Sequence, residues 1–211
     1  MLLSILTPAV PSRLEQIGKL CRELARQIGA LPVEHLVLLD NKRRTIGEKR
    51  DALLRLAHGD YVAFVDDDDW IRPDYISSLV SAVSGLKSSV PTSASEPTTP
   101  DSRLQTTDFP DVITFEQLSV IDGVPGQISF RLGNPNEPFR PAHVTRRNAW
   151  HVCAWRRTLA ICSSFPASNY GEDWAYAAKL CAIPGLTTVH IPRILHEYHH
   201  SAETTEAPPP P

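Results

Sequence analysis

Four consecutive aspartates, residues 66–69, directly follow the apolar run YVAFV. Like charges at the end of a buried strand repel one another, so a cation or ligand that compensates them would stabilise the fold. In an extended backbone Asp66 and Asp68 point to the same side and can share one divalent ion. Their hard oxygens favour Mg²⁺ or Mn²⁺ over zinc. The alternative is a solvated turn, in which Asp69 and Asp74 only serve the start of the next helix.

Two other predicted strands also end in polar positions. Thr7 and Pro8 follow the first strand, and Asp40 follows the second. Because ligands of open parallel sheets bind at the carboxyl ends of strands, these positions and the aspartates describe one edge of a cleft. A solvated helix face is the alternative for part of the basic stretch nearby, residues 42–44. The basic residues that would face an anionic ligand there are Lys42, Arg43, Arg44, Lys49 and Arg50.

The segment NYGEDWAYAAKL places Glu172 and Asp173 in the first turn of a predicted helix. Acids in that turn are stabilised by the helix dipole, which would be reason enough for an isolated pair. A carboxylate beside a cleft can also act as a general base that takes the proton from an attacking hydroxyl. For His151 and the nearby run AWRRTLA, an acceptor pocket and the edge of the core are both open interpretations.

Three histidines lie near the C-terminal end: His196, His199 and His200. A histidine close to a carboxylate-bound metal would supply a nitrogen ligand. The alternative is an exposed polar cluster that precedes a disordered tail.

The chain has 211 residues, of which 42% are hydrophobic and 21% charged, which is typical of one globular domain. No apolar stretch approaches the roughly 20 residues that cross a bilayer, so we expect no transmembrane segment and a cytoplasmic location. The run MLLSILTPAV lacks a basic leader and predicts a strand, not a signal peptide. Four cysteines without a CxxC pair indicate neither zinc nor a disulfide framework. The net charge of −3 gives no support to broad nucleic-acid binding.

Buried strands alternate with amphipathic helices in the first half of the chain. The runs LLSILT, HLVLLD and YVAFV predict strands, and residues 46–58 predict a helix. Ser12 and Glu15 offer a capping box for the first helix, and Pro73 suits the first turn of the third. This alternation predicts an α/β protein whose parallel sheet is covered on both faces.

The second half has a mixed pattern. Residues 84–110 are rich in Ser, Thr and Pro and predict a mobile connection. DVITFE and TTVHIP predict strands, and residues 172–181 predict a helix. LSVIDGVPGQISF predicts a hairpin that turns either at Asp122 and Gly123 or at Pro125 and Gly126. Residues 202–211, with four final prolines, predict a disordered tail.

Over nearly its whole length, the chain resembles the family 2 glycosyltransferases of the GT-A fold. The segment GEKRDALLRLAHGDYVAFVDDDDW is the most specific match, because a helix followed by Gly, Asp and Tyr leads into a strand and an acidic DxD motif. The resemblance implies a Rossmann-like, mostly parallel sheet flanked by helices, with a mixed acceptor-side half. The matching segments, in the family's order, are SILTPAV, LVLLDN, GEKRDALLRLAHGDYVAFVDDDDW, NYGEDWAYAAKL and YHHSAETT.

By this resemblance residues 1–201 form a single GT-A domain. Residues 1–83 would bind the nucleotide sugar, and residues 111–201 would form the acceptor side. In the donor half, Asp40 would bind the nucleotide base, and Lys49 or Arg50 would contact the nucleotide. Thr7, Pro8 and Asp67 complete the expected donor pocket.

The resemblance also implies the residues that hold the metal and carry out catalysis. Asp66 would approach the ribose or the metal, and Asp68 would hold the metal against the diphosphate. His200, or failing that His196 or His199, would be the histidine near the metal. Asp173 would be the catalytic base, with Glu172 orienting the acceptor.

The implied activity is that of an inverting, metal-dependent glycosyltransferase of the hexosyltransferase type. It would move one sugar from a nucleotide sugar, typically a UDP-sugar, with Mn²⁺ or Mg²⁺ as cofactor. The acceptor hydroxyl would belong to a glycan, a lipid, a protein or a hydroxymethylated DNA base. The alternatives are a nucleotidyltransferase or other metal-dependent phosphoryl-transfer enzyme, and a noncatalytic nucleotide-sugar-binding module.

Overall fold

The computed structural model describes residues 1–87 and 109–200 of the chain. The predicted connection over residues 84–110 lies largely outside these ranges, and the predicted tail of residues 202–211 lies entirely outside them. Among the described residues, no helix combines the length and the apolar composition that crossing a membrane requires.

Strands and helices alternate through the first half of the chain, as its apolar runs predict. The central strand β1 lies between β2 and β3, is parallel to both, and is buried at every residue. The elements are β1 (Leu3–Ala9), α1 (Leu14–Ile28), β2 (Val33–Leu39), α2 (Ile46–Leu56), β3 (Tyr61–Phe64), β4 (Trp70–Ile71) and α3 (Tyr75–Lys87).

The predicted capping box at Ser12 and Glu15 does not form. Residues 11–13 make a 3₁₀ turn that starts with Pro11, so α1 begins only after it, and the residue before the helix makes no side-chain cap. A capping box forms instead at α2, where the Thr45 hydroxyl accepts a 3.2 Å hydrogen bond from the Glu48 amide. The Glu48 carboxylate accepts one of 2.8 Å from the Thr45 amide in return. This cap fixes the start of the helix that carries Lys49 and Arg50.

Strand β2 was expected to be buried, but it lies at the edge of the sheet. Its one strand neighbour in the described part of the chain is β1, and Val37 and Leu39 are 40% and 46% exposed. A run of apolar residues predicts the strand correctly but does not specify how many neighbours it has.

The second half contains two helices and five strands within the described residues. Its hairpin turns at Asp122 and Gly123, the first of the two predicted positions, and both residues have positive φ angles of 48° and 78°. That conformation is the one that two-residue hairpin loops favour. The elements are β5 (Val112–Ile121), β6 (Val124–Phe130), β7 (Thr145–Arg147), β8 (Ala154–Arg156), α4 (Arg157–Ser163), α5 (Glu172–Cys181) and β9 (Thr188–His200).

Strand β9 is longer than the TTVHIP run predicted. It continues through the histidine-rich segment and ends at His200, parallel to the whole of β5. The backbone of the three histidines is therefore fixed by strand pairing.

The sheet interlocks the two halves of the chain. Its order is β2-β1-β3-β8-β5-β6-β7, while β9 pairs with β5 and also with β4. The pairs β3–β8, β8–β5 and β5–β6 are antiparallel, which gives the second half its mixed character. Helices α1 and α3 pack together, and α2, α4 and α5 form a second group. The predicted α/β class, with a central parallel sheet flanked by helices, is confirmed.

Candidate active site

A cleft of about 810 Å³ opens at the carboxyl ends of β1 and β3. Its opposite wall comes from the start of α5 and from the ends of β7 and β9. Strands and helix N-termini therefore converge on one place, as expected for an α/β ligand site. Most of the predicted site residues line it: Pro8, Lys49, Arg50, Asp66, Asp67, Asp68, Glu172 and Asp173.

The four aspartates form a tight turn and not the extended segment that their spacing suggested. The Asp69 amide donates a 3.1 Å hydrogen bond to the Asp66 carbonyl, because the chain reverses between β3 and β4. Asp66, Asp67 and Asp68 all line the cleft, whereas the Asp69 side chain is buried and lies outside the lining. We call residues 66–69 the aspartate turn.

Asp67 ties the aspartate turn to the end of β1. Its carboxylate accepts hydrogen bonds of 2.9 Å from the Val10 amide and 2.8 Å from Arg13. Arg13 also pairs with Asp68 at 3.0 Å. Because Asp67 is 3% exposed and satisfied by protein groups, it holds the turn in place.

Asp69 joins the aspartate turn to β9 through a buried histidine. Asp69 Oδ2 lies 3.2 Å from His196 Nε2, and His196 Nδ1 lies 3.1 Å from Gln117 Oε1. The Gln117 amide nitrogen donates to Ser119, so its oxygen faces the ring and accepts from Nδ1–H. His196 is fully buried and supports the turn from behind the cleft wall.

The other two histidines take different positions. His199 lines the cleft, with Nε2 3.6 Å from Glu197 Oε2. His200 lies outside the cleft lining, and its Nδ1 is 3.9 Å from Asp122 Oδ1 in the hairpin turn. Of the three histidines, His199 is the one that the structure brings to the cleft wall.

Arg50 connects the two walls of the cleft. It donates a 2.6 Å hydrogen bond to Asp66 Oδ2, and its other terminal nitrogen lies 3.6 Å from Glu172 Oε1. Its guanidinium lies 5.6 Å from the Phe64 ring centroid and 5.7 Å from that of Phe165. The side chain is 4% exposed, so two charges and two aromatic faces fix its position.

Negative charge is concentrated at the aspartate turn. Burial raises the pKa of Asp66, the Arg50 charge opposes that rise, and the neighbouring aspartates add to it. Burial, followed by the charge of Asp69, raises the pKa of Asp68 to about 6. Burial also raises the pKa of Glu172, against the effect of Arg50. The cleft therefore carries carboxylates whose ionised forms need a further cation.

The carboxylates suit a cation that arrives with a phosphate ligand. Residues 1–87 and 109–200 contain no group of three or more His, Cys, Asp or Glu side chains placed to hold a metal by themselves. Mg²⁺, however, is usually bound by one or two carboxylates together with substrate phosphates. Asp66 Oδ1 is buried and has no hydrogen-bond partner among the described residues, and Asp68 lines the cleft beside it. These oxygens fit such an ion.

Three predicted donor residues have protein partners: Lys49 and Asp40 pair with each other, and Thr7 contacts a histidine. Lys49 Nζ lies 3.1 Å from Asp40 Oδ1 and donates a 3.1 Å hydrogen bond to the Ala9 carbonyl. Thr7 is fully buried, with Oγ1 3.0 Å from His35 Nε2. Lys49 reaches the cleft lining, while Thr7 and Asp40 lie behind it.

Asp173 faces the cleft beside a buried imidazole. Its Oδ1 accepts a 2.7 Å hydrogen bond from the Trp174 amide, and its Oδ2 lies 3.9 Å from His151 Nδ1. Burial, then the charges of Arg50 and His196, lower the pKa of His151 well below its ordinary value, so the ring is neutral. His151 Nδ1 has no hydrogen-bond partner in the described part of the chain. His151 itself is 6% exposed and does not line the cleft, so both interpretations of this residue stay open.

Several cleft residues were not singled out from the sequence. Tyr170 and Trp174 flank the Glu172–Asp173 pair and are 67% and 58% exposed. Aromatic residues on both sides of the GED run were a usable signal in the sequence. Arg13, Arg147, Trp150 and Tyr198 also line the cleft, but they reach it through contacts between distant segments.

The loop before α5 is docked on the start of α2. The Gly47 amide donates a 3.0 Å hydrogen bond to the Ser168 carbonyl, and the Ile46 amide donates one of 3.0 Å to Asn169 Oδ1. A Cβ atom at Gly47 would lie 1.8 Å from the Pro166 carbonyl oxygen, so no side chain fits there. This contact fixes the loop that leads into α5, and so the position of Glu172 and Asp173 at the start of that helix.

Sequence comparison relates the chain to a known family of transferases. The family model described as Glycosyl transferase family 2 matches residues 20–140, which include the aspartate turn and α2. No protein of curated function matches the chain.

Solved structures of S. aureus TarS have a similar fold. The structure of TarS 1-349 superposes with a TM-score of 0.61 at 16% identity, covering 94% of this chain and 60% of that one. Its complex with UDP-GlcNAc gives 0.60 at 14% identity, with coverages of 98% and 62%. The complex with UDP gives 0.57 at 14% identity, with coverages of 96% and 62%. The chain thus spans about three fifths of the length of these proteins.

Proposed function

The chain belongs to glycosyl transferase family 2 and has the GT-A fold, and we propose that it transfers a single sugar from a nucleotide sugar to an acceptor hydroxyl with inversion. Residues 1–83 would bind the donor, and residues 111–201 would bind the acceptor. The UDP-GlcNAc and UDP complexes of the similar TarS structures support a UDP-sugar of the hexose type as donor.

One observation carries this proposal: Arg50 joins the aspartate turn and the Glu172–Asp173 pair across a single cleft. A glycosyl transfer needs a place for the leaving diphosphate and a base for the attacking hydroxyl, close enough to act on one substrate pair. On its facing walls the cleft offers carboxylates for both tasks: the aspartate turn for the diphosphate and the Glu172–Asp173 pair for the base.

The donor would lie along the ends of β1 and β3, with its diphosphate at the aspartate turn. Asp66 and Asp68 would hold Mn²⁺ or Mg²⁺, which when bound neutralises charge that builds on the leaving diphosphate. Asp67 would keep the turn in register through Arg13. Pro8 and Lys49 would border the nucleotide, and Thr7 and Asp40 would support this wall from behind.

Asp173 would act as the general base. It would take the proton from the acceptor hydroxyl, whose oxygen forms the new bond to the anomeric carbon while the bond from that carbon to the diphosphate oxygen breaks. The products are the glycosylated acceptor and the nucleoside diphosphate, with the proton on Asp173. A single displacement inverts the anomeric centre. Glu172, held by Arg50, would fix the start of α5 and so the direction of Asp173.

The proposal is tested by incubating the protein with a panel of nucleotide sugars and Mn²⁺ and measuring release of the nucleoside diphosphate, with water as acceptor. We expect release with one donor and its loss on chelation of the metal. Asp173→Asn should abolish release while nucleotide binding, measured by calorimetry, stays nearly intact. Asp60→Asn, at the opposite end of β3, is the matched control. Equal loss of binding and release in Asp173→Asn would contradict the general-base assignment.

A further inference from the structure

Arg147 stands apart from the other arginines of the cleft. Among the described residues its Nε, like that of Arg50, is buried without a hydrogen-bond partner, but Arg147 alone of the cleft arginines has no carboxylate paired with its guanidinium. The remaining cleft arginines have acidic partners: Arg13 has Asp67 and Asp68, Arg44 has Asp40, and Arg50 has Asp66 and Glu172.

The position of Arg147 places it on the wall that carries Asp173. It ends β7, and its guanidinium carbon lies 6.0 Å from the centroid of the Trp150 ring. Burial lowers the pKa of Arg147, and the Asp173 carboxylate is the first charge that opposes this effect. The exposed Trp174, which follows Asp173 in the chain, also lines the cleft. Arg147 therefore faces the place where an acceptor hydroxyl would meet Asp173.

The guanidinium of Arg147 carries a buried nitrogen, Nε, that has no acceptor among the described residues, and such a nitrogen is costly because it has lost water without gaining a partner. Its planar fork fits the paired oxygens of a phosphate or a carboxylate, which it binds through two parallel hydrogen bonds. A substrate oxyanion would meet both conditions at this position.

We propose that Arg147 binds an oxyanion, phosphate or carboxylate, that the acceptor carries close to its reacting hydroxyl. The inference rests on the proposed function, because Asp173 as the base is what defines the acceptor side. It narrows the acceptor from any hydroxyl compound to an anionic one, with a sugar or other ring lying against Trp174.

The test uses three ligands with one ring: methyl glucoside, its phosphate ester at the primary hydroxyl, and the matching glucuronide. They differ only in carrying a neutral group, a phosphate or a carboxylate. Their dissociation constants are measured by calorimetry with the protein saturated with UDP and Mn²⁺. At least one anionic ligand should bind about tenfold or more tightly than the neutral one, as expected for a charge-assisted bidentate contact.

The preference should disappear in Arg147→Gln. Arg146→Gln is the matched control, because Arg146 is its neighbour on β7, is exposed, and pairs with Glu137 at 2.6 Å. That variant should keep the preference. Arg147→Lys, which keeps the charge but not the fork, should keep only part of it, and it serves if Arg147→Gln does not fold.

Three results would overturn the inference. They are equal binding of the three ligands by the wild type, an unchanged preference in the folded Arg147 variant, and a parallel loss of UDP affinity in that variant. The last would mean that Arg147 binds the donor diphosphate. Because the titration needs no turnover, its outcome is independent of diphosphate release, which tests the proposed function.

Discussion

The Arg50 guanidinium donates a 2.6 Å hydrogen bond to the Asp66 carboxylate from a position that is almost completely buried. Its second contact, 3.6 Å to Glu172, makes it the one side chain among the described residues that pairs with carboxylates on both walls of the cleft. Neither acid has another arginine or lysine partner in the described ranges. This one cation therefore holds the two walls in register together with the docking of the loop before α5 on α2.

Replacing Arg50 with methionine should leave Asp66 and Glu172 without a cation in a buried site. We expect the free energy of unfolding to fall by about 3–5 kcal/mol, as for other broken buried ion pairs. Arg55→Met removes an exposed pair with Asp51 from the same helix and should cost less than about 1 kcal/mol. Urea unfolding of both variants measures the difference, and similar values for the two would show that the bridge is not structural.

The aspartate turn should make metal-free stability depend on pH. Asp68 has a folded-state pKa of about 6, above its ordinary 3.8, so the folded protein binds this proton more tightly than the unfolded chain does. Its contribution thus lowers stability as the pH rises from about 4 to about 6, and the penalty is complete above that range. Asp68→Asn should raise the melting temperature at pH 8 and raise it less at pH 5.

These melting curves are recorded with a chelator present, alongside Asp60→Asn as a surface control. A lower melting temperature for Asp68→Asn at pH 8 would exclude charge repulsion at the turn. The same variant should lose the additional stabilisation that UDP gives together with Mn²⁺, because a ligand stabilises only the folded state that binds it.

The imidazole of His151 should orient Asp173 through Nδ1, which lies 3.9 Å from Asp173 Oδ2 and has no partner in the described structure. His151→Asn places an amide nitrogen near the Nδ1 position, whereas His151→Gln places it near Nε2. We expect His151→Asn to retain most of the diphosphate release, and His151→Gln and His151→Leu to lose up to about 100-fold. UDP affinity should stay the same in all three.

If the three His151 variants lost activity equally, the residue would act only through packing against Phe64 and Trp150. Higher activity of the Asn variant than of both the Gln and the Leu variants is the signature of a hydrogen bond directed from the Nδ1 position. A packing role would place leucine at least level with the amides.

Two glycine-to-alanine substitutions should change the stability of the fold in opposite directions. Gly47→Ala places a Cβ 1.8 Å from the Pro166 carbonyl oxygen, so α2 and the loop before α5 must separate. It should cost about 1–3 kcal/mol of stability and reduce diphosphate release. Gly18→Ala, inside α1, meets only the end of the Arg22 side chain at 3.6 Å and should stabilise by about 0.5–1 kcal/mol. Chemical denaturation measures the stability of both variants, and the release assay measures their activity.

Stabilisation by Gly47→Ala would show that the loop is not docked on α2 in solution. Unchanged activity in a destabilised Gly47→Ala would show that the docking does not position Asp173.

The local pattern of the sequence predicts the first half of the fold well, because each buried strand there is a continuous apolar run followed by an amphipathic helix. The local pattern fails where the position or the end of an element depends on the neighbouring segments. The edge position of β2 depends on which strands flank it, and the failed cap at Ser12 depends on the turn that Pro11 starts.

The candidate site shows the same division. The aspartates and the Glu172–Asp173 pair are conspicuous in the sequence, and the structure brings them to one cleft. Their partners are not conspicuous, because Arg50 meets Glu172 and Asp69 meets His196 across more than a hundred residues of chain. Of the three histidines His196, His199 and His200, strand pairing decides which one is buried.

The interleaving of the strands has a consequence for dividing the chain. Residues 1–87 supply the aspartate turn and residues 109–200 supply Asp173, while β8 pairs with both β3 and β5 and β9 pairs with both β4 and β5. A cut within residues 88–108 would thus give two fragments, neither of which holds a complete cleft. Under the proposed function, release of the nucleoside diphosphate by the mixed fragments would report that the two fragments have reassembled.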